Sequence, residues 1–365
     1  MYKKHHFFTY KTKKKYQRLN NPTQDKSNNI KRIDYGLAIL RTYLAFLVLS
    51  HHIYNRNTTK NKIILYITQE RMFHVPSFYI MSFYFLYNTL SSFKIKLIIK
   101  RLIRLLIPYI GWAIIFFEIN HILNKKYNKK YSDTAYDLKI QILWGFHYIP
   151  IFYYQWVLIV NTFIFAIIIF VFRKYSIFIL HILFILSYAL LYSRYLLNYI
   201  NRIPNYKKVS VGSLLDLFPL SVSGYTLGAY KILNYLHKYK IRTLILSLLV
   251  YNVVESYFIF ANVGGIFYPG VRYNIKGLCV IFIFSIFPSE IIKNKYISKF
   301  IIFVTNYTAG VYYLHMNFNQ YLAEFFNDYK KPNFTAVIIE YILCYYICFF
   351  GTLIFGRTPL KYLFC

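Results

Sequence analysis

An arginine and a histidine stand eleven residues apart in the apolar stretch "LAILRTYLAFLVLSHHIYN", residues 37–55. In a helix, eleven residues turn about 20° beyond three full turns and rise about 16 Å, so Arg41 and His52 share one face. His51 points about 80° away from Arg41 and is the poorer partner. A guanidinium inside an apolar helix is costly unless water or partners reach it. The stretch therefore reads as a helix with one polar face turned to a cavity. It also fits a snorkelling arginine and an interfacial histidine pair, and the spacing leaves both readings open.

A second pair lies in "KRLIRLLIPYIGW", where Arg101 and Arg104 are spaced i, i+3 and reach the same side of a helix. Two guanidiniums so placed can grip a phosphate or pyrophosphate bidentately. With Lys94, Lys96 and Lys100 beside them, they also fit ordinary charge at a membrane face. Glu118 and Glu255 stand in or near apolar blocks and can pair with basic residues or shuttle protons. The cysteines Cys279, Cys344, Cys348 and Cys365 have no His or carboxylate at metal-ligand spacing. No metal is expected, and the first three read as small buried residues.

These residues need elements to position them. Hydrophobic residues make up 57% of the 365 and charged residues 15%, in apolar blocks about as long as a bilayer is thick. The expected fold is all-α: a polytopic transmembrane bundle of about ten spans. They lie near 34–55, 73–92, 103–123, 151–172, 176–197, 212–230, 241–261, 273–289, 300–325 and 335–356. The block at 73–92 carries Ser77, Ser82 and Asn88 and should be buried in the bundle rather than face lipid. The net charge of +32 collects at the ends of blocks and in residues 1–32, the pattern of topology and anionic lipid contact, not of nucleic-acid binding. We expect 1–32 to be a basic, disordered cytoplasmic tail without a cleaved signal, and 33–365 to be one membrane domain. An even span count puts both termini inside. The connection at 124–150 holds "YSDTAYDLKIQILWGFHYI", which fits a short amphipathic helix on the outer surface.

Arg41, ten residues and His52, then Arg101-x-x-Arg104 before "PY" and an aromatic, resemble the acyltransferase 3 family of integral membrane acyltransferases. Further stretches are similar in order. "HVPSFYIMSF" resembles the family's second span, with Phe83 where many members carry Gly. "YYQWVLIVNTFIF" resembles its tryptophan-bearing span, "LFPLSVSGYTLGA" its glycine-containing span and "NYTAGVYYLHMNF" its late histidine-bearing segment. "RTPLKYLF" resembles the C-terminal proline step. The resemblance runs from about residue 34 to 363. Two departures stand out. Ala38 occupies a place where many members carry Asp, and Asp34, seven residues before Arg41, falls on Arg41's face instead. No fused esterase-like domain is visible, so the chemistry is expected within the bundle.

The resemblance implies acyl transfer, usually acetyl, from acyl-coenzyme A to a hydroxyl of a carbohydrate or cell-surface glycan at the plasma membrane. His52 would then be general base or acyl carrier, and Arg41 would steady an anion or the oxyanion formed on the thioester. Arg101 and Arg104 would hold the coenzyme phosphates. His315 stands where a family histidine often does, and Trp156 matches a family aromatic. Either can serve the site, or be a satisfied bundle histidine and an interfacial tryptophan. The competing class is a polytopic transporter or flippase for a lipid-linked or anionic substrate. Such proteins often show related halves with paired Gly or Pro interruptions, and no such symmetry is seen here.

Overall fold

Runs of Leu, Ile, Phe and Tyr give the backbone few side-chain hydrogen-bonding partners, so its N–H and C=O groups pair along the chain as helix. The structure is a computed structural model that describes residues 35–56, 73–127, 150–201, 209–260, 270–286, 294–326, 334–358 and 363. In order it holds α1 (Tyr35–Arg56), α2 (His74–Leu90), α3 (Ile95–Tyr127) and α4 (Pro150–Phe172). A 3-10 turn at Arg173–Tyr175 leads to α5 (Ser176–Asn201), α6 (Val209–Ala229), α7 (Ile232–Lys238), α8 (Lys240–Phe260), α9 (Gly270–Ser285), α10 (Lys295–Phe326) and α11 (Phe334–Phe355). Among the described residues every element is helical, and each of the ten apolar blocks coincides with one helix.

Two features were not anticipated. The short α7 follows Lys231, whose φ of 51° turns the chain out of α6. And α3 starts eight residues before its apolar block, so Arg101 and Arg104 lie inside a 33-residue helix rather than at its start. The segments 1–34, 57–72 and 128–149, which hold the basic tail, Asp34 and the amphipathic stretch, lie outside the described residues.

α2 sits largely inside, as expected, although of its serines and asparagine only Ser77 is buried and Asn88 is exposed. Pro76, Ser77, Tyr79, Ile80, Met81, Phe83, Leu86 and Leu90 are all buried. Close approach is built by glycine on its neighbours. A Cβ on Gly224 of α6 would fall on the Ile80 carbonyl, and one on Gly228 would meet Tyr87 at 2.7 Å. On α9, a Cβ at Gly277 would lie 2.9 Å from Ile80 Cδ1. Gly224 and Gly228 are one helical turn apart, the small-xxx-small spacing that lets helices pack backbone to backbone.

α1 and α10 run side by side in one direction. Thr42 Oγ1 lies 3.2 Å from Thr305 Oγ1, which donates to the Ala38 carbonyl. Further along, Leu49 joins Val311 and Leu314 in one apolar cluster. α11 runs back along α10, with Thr352 against Gly310 and Cys344 against the His315 carbonyl. It also reaches α1, where the Tyr341 hydroxyl donates to the Phe46 carbonyl at 3.0 Å.

α8 and α9 are joined by charge. Glu255 accepts from Arg272 Nη2 at 2.8 Å and Nε at 3.3 Å, and pairs with Lys276. The Lys276 side chain is 1% exposed and lies over the Tyr251 ring. Of the two roles open to Glu255, the structure shows pairing. Cys279, Cys344 and Cys348 are buried free thiols, as expected.

By length and composition one described helical stretch, Tyr154–Leu190, is apolar and long enough to cross a membrane; Tyr35–Leu49 and Ile339–Phe355 are apolar but shorter. Large apolar side chains remain exposed around the described helices, among them Ile241, Leu246 and Val253 on α8, Phe178 and Ile185 on α5 and Ile354 on α11.

Candidate functional site

Arg41 is exposed although Leu37, Leu40, Leu44 and Ala45 around it are buried. The ionisable groups that act on its guanidinium are Tyr154 of α4 and Tyr313 of α10. The cation thus meets phenols on two facing helices, while the Thr42–Thr305 contact fixes α1 against α10 from the neighbouring position.

His52 lies on the same helix as Arg41, near its C-terminal end. Its side chain, like that of His51, falls outside the described residues. The backbone register is still informative. His52 is ten residues beyond Thr42, and His315 is ten residues beyond Thr305. On parallel neighbours that meet at these threonines, both histidines stand about 15 Å further along, at one height. Tyr313 stands between that height and the threonine contact.

His315 itself is 1% exposed. Its Nδ1 lies 3.3 Å from the Val311 carbonyl, and its ring packs on Tyr312 at 5.8 Å. Trp156 is half-buried and packs against both apolar clusters of the bundle, one centred on α2 and the other on α3, α10 and α11. That places it at the seam where the Arg41 phenols also lie.

The arginine pair of α3 is separated. Arg101 is half-buried and turns inward, donating from Nη2 to the Ser82 carbonyl of α2 at 2.9 Å. Arg104, one turn on, is exposed. Arg101 also lies within electrostatic range of Tyr154, the residue that faces Arg41. The two arginines from distant parts of the sequence therefore converge on one tyrosine.

Three hydrogen bonds hold that tyrosine's surroundings. Arg101 ties α3 to α2 through Ser82. The Tyr79 hydroxyl ties α2 to α4 by donating to the Tyr154 carbonyl at 2.7 Å. Gln155 Nε2 ties α4 to α3 by donating to the Leu105 carbonyl at 2.9 Å. Aromatic rings close the space: Tyr154 meets Tyr79 edge-on at 4.7 Å and Tyr312 at 5.8 Å, and Tyr313 stacks on Trp112 at 6.0 Å.

Sequence reasoning found the two arginines and missed Tyr154, Gln155, Tyr312 and Tyr313. Among 41 tyrosines none stands out by type. The available signal was adjacency, since Tyr154 lies two residues before Trp156 and Tyr313 two before His315. A cation with phenol rings and an amide gathered near it can bind a polarised carbonyl and an anion. Among the described residues no three His, Cys, Asp or Glu side chains gather as a metal site.

Compared with known families, residues 34–357 match the family model described as an acyltransferase domain, the acyltransferase 3 model. No curated protein and no solved structure matches the chain.

Proposed function

The chain belongs to the acyltransferase 3 family, a membrane-associated family of acyltransferases, and from that premise we propose that it moves an acetyl group from acetyl-coenzyme A to a hydroxyl of a carbohydrate or cell-surface glycan. The observation that carries the reading is Arg41, within electrostatic range of the Tyr154 and Tyr313 phenols and on one helix face with His52. We read the bundle as multi-pass in the plasma membrane, with both termini cytoplasmic and its exposed apolar side chains against lipid.

In this scheme Arg101 and Arg104 hold coenzyme phosphates, and the acyl end extends past Tyr154 toward Arg41. His52 takes the proton of the acceptor hydroxyl, the role a neutral imidazole plays near neutral pH. Arg41 stabilises the oxyanion that forms as the hydroxyl oxygen attacks the thioester carbon; fixed charge in a water-poor cleft acts more strongly there than in water. Trp156 at the seam shapes the cleft, and His315 borders it at the height of His52.

Purified full-length protein incubated with acetyl-coenzyme A labelled in the acetyl group tests the reading. Release of free coenzyme thiol with label passing to a hydroxylated acceptor or to water is the expected result. Coenzyme that stays fully acetylated, with wild-type protein folded and reconstituted in lipid, overturns it.

A further inference from the structure

We propose that Tyr154 is a catalytic residue of this site, its phenol O–H donating a hydrogen bond to the carbonyl oxygen of the donor thioester beside Arg41. The inference rests on the acyl-transfer reading above.

Its geometry is independent of that reading. Tyr154 is the point where α2, α3, α4 and α10 meet. Its backbone carbonyl is fixed by the Tyr79 hydroxyl at 2.7 Å. Its neighbour Gln155 is fixed to Leu105, one turn beyond Arg101. Its ring is clamped by Tyr79, Phe78 and Tyr312 at 4.7, 6.4 and 5.8 Å. Here the phenol end lies in range of two arginines contributed by α1 and α3. A hydroxyl within electrostatic range of cations is productive where an oxygen carrying partial negative charge has to be received. Of the two arginines, Arg101 is engaged by the Ser82 carbonyl. Arg41 is exposed. A carbonyl placed at Arg41 would accept from the guanidinium on one side and from the phenol on the other.

The step balances without moving the Tyr154 proton. The acceptor oxygen forms a bond to the thioester carbon as its proton passes to His52, and the carbonyl electron pair moves onto oxygen, where Arg41 and Tyr154 hold it. The pair returns, the carbon–sulfur bond breaks, and the coenzyme thiolate takes the proton from His52. The products are the acyl ester and the free thiol.

The test uses full-length protein in lipid and acetyl-coenzyme A carrying ¹³C at the acetyl carbonyl. Tyr154→Phe keeps the ring and the backbone bond to Tyr79. The expected result is a fall of about 10²-fold in kcat for thiol release, the usual loss of one oxyanion donor, with KM for acetyl-coenzyme A nearly unchanged. The isotope-edited infrared band of the bound carbonyl should move to higher frequency as the hydrogen bond is lost. Tyr79→Phe, which removes a clamp and leaves the phenol, should lower kcat far less and leave the band in place. A Tyr154→Phe enzyme with wild-type kcat overturns the proposal, as does one whose rate falls while the carbonyl band stays where it was. Wild-type protein that leaves the thioester intact sinks the parent reading instead, so the two failures are distinguishable.

Discussion

Arg41 keeps a charge in an apolar helix because the side chains that face it from α4 and α10 are apolar in body and polar at the tip. Tyr154 and Tyr313 bring rings to the packing and hydroxyls to the cation. Helical phase then sets apart the two adjacent histidines. His52→Ala should lose about 10²–10⁴ in transfer rate, the worth of a general base, while His51→Ala keeps most activity. Both are read from thiol release by protein that still binds coenzyme. A dead His51→Ala with an active His52→Ala would shift the working face by one residue. The separated arginines of α3 give a second expectation. Arg104→Ala, at an exposed position, should weaken coenzyme binding by about 1–3 kcal/mol in calorimetry and leave Tm unchanged. Arg101→Ala should weaken binding similarly and lower Tm, because it also gives up the Ser82 bond between α2 and α3. A charged residue in an apolar run is conspicuous, so Arg41 was legible in the sequence. The tyrosines that complete its surroundings were not, because their role comes from helices that meet only in the fold.

At the scale of elements, hydrophobic runs gave away the ten long helices because little in them competes with backbone pairing. Limits were less legible where helix and apolar block differ. The first turns of α3 hold Lys96, Lys100 and Arg101 among apolar residues and are helical all the same. Lys and Arg are good helix formers even where hydropathy falls. That α2 packs inside was legible from Ser77 but not from Asn88, which is exposed, and the means of packing it was not legible. That depends on Gly224 and Gly228 meeting Ile80 and Tyr87 across the interface. Gly224→Ala puts a methyl group against the Ile80 backbone, which cannot rotate away, so α2 and α6 must part. The expected loss is about 1–3 kcal/mol, seen as a lower Tm in detergent. Gly351→Ala is the comparison: its Cβ would meet only the Leu314 Cδ1 at 3.2 Å, a side-chain tip that can shift. Equal Tm losses in the two variants would show that backbone contact at Gly224 does not set the packing.

For the whole molecule, composition announced an apolar surface, and the exposed apolar side chains of α5, α8 and α11 supply it. The proposed orientation puts residues 1–32 and 357–365 on the cytoplasmic side. An impermeant thiol reagent applied to intact cells should then miss Cys365 and label Asn128→Cys. The opposite pattern would put the coenzyme arginines on the face away from cytoplasmic acetyl-coenzyme A. The Glu255 pairing with Arg272 and Lys276 bears on how such a chain is made. A helix carrying an arginine and a lysine is a poor candidate for insertion by itself, since a charge near a helix centre, as Lys276 is in α9, costs about 2.5–3.5 kcal/mol in translocon insertion. α8 precedes α9 from the ribosome and carries the carboxylate that both cations need. The two helices are therefore expected to enter the bilayer as a hairpin, α8 waiting at the translocon until α9 arrives. With a glycosylation reporter placed after residue 286, Glu255→Leu should lower the fraction of chains in which α9 spans, and adding Lys276→Met should restore it. Biogenesis, rather than catalysis, would then be the reason this buried triad exists.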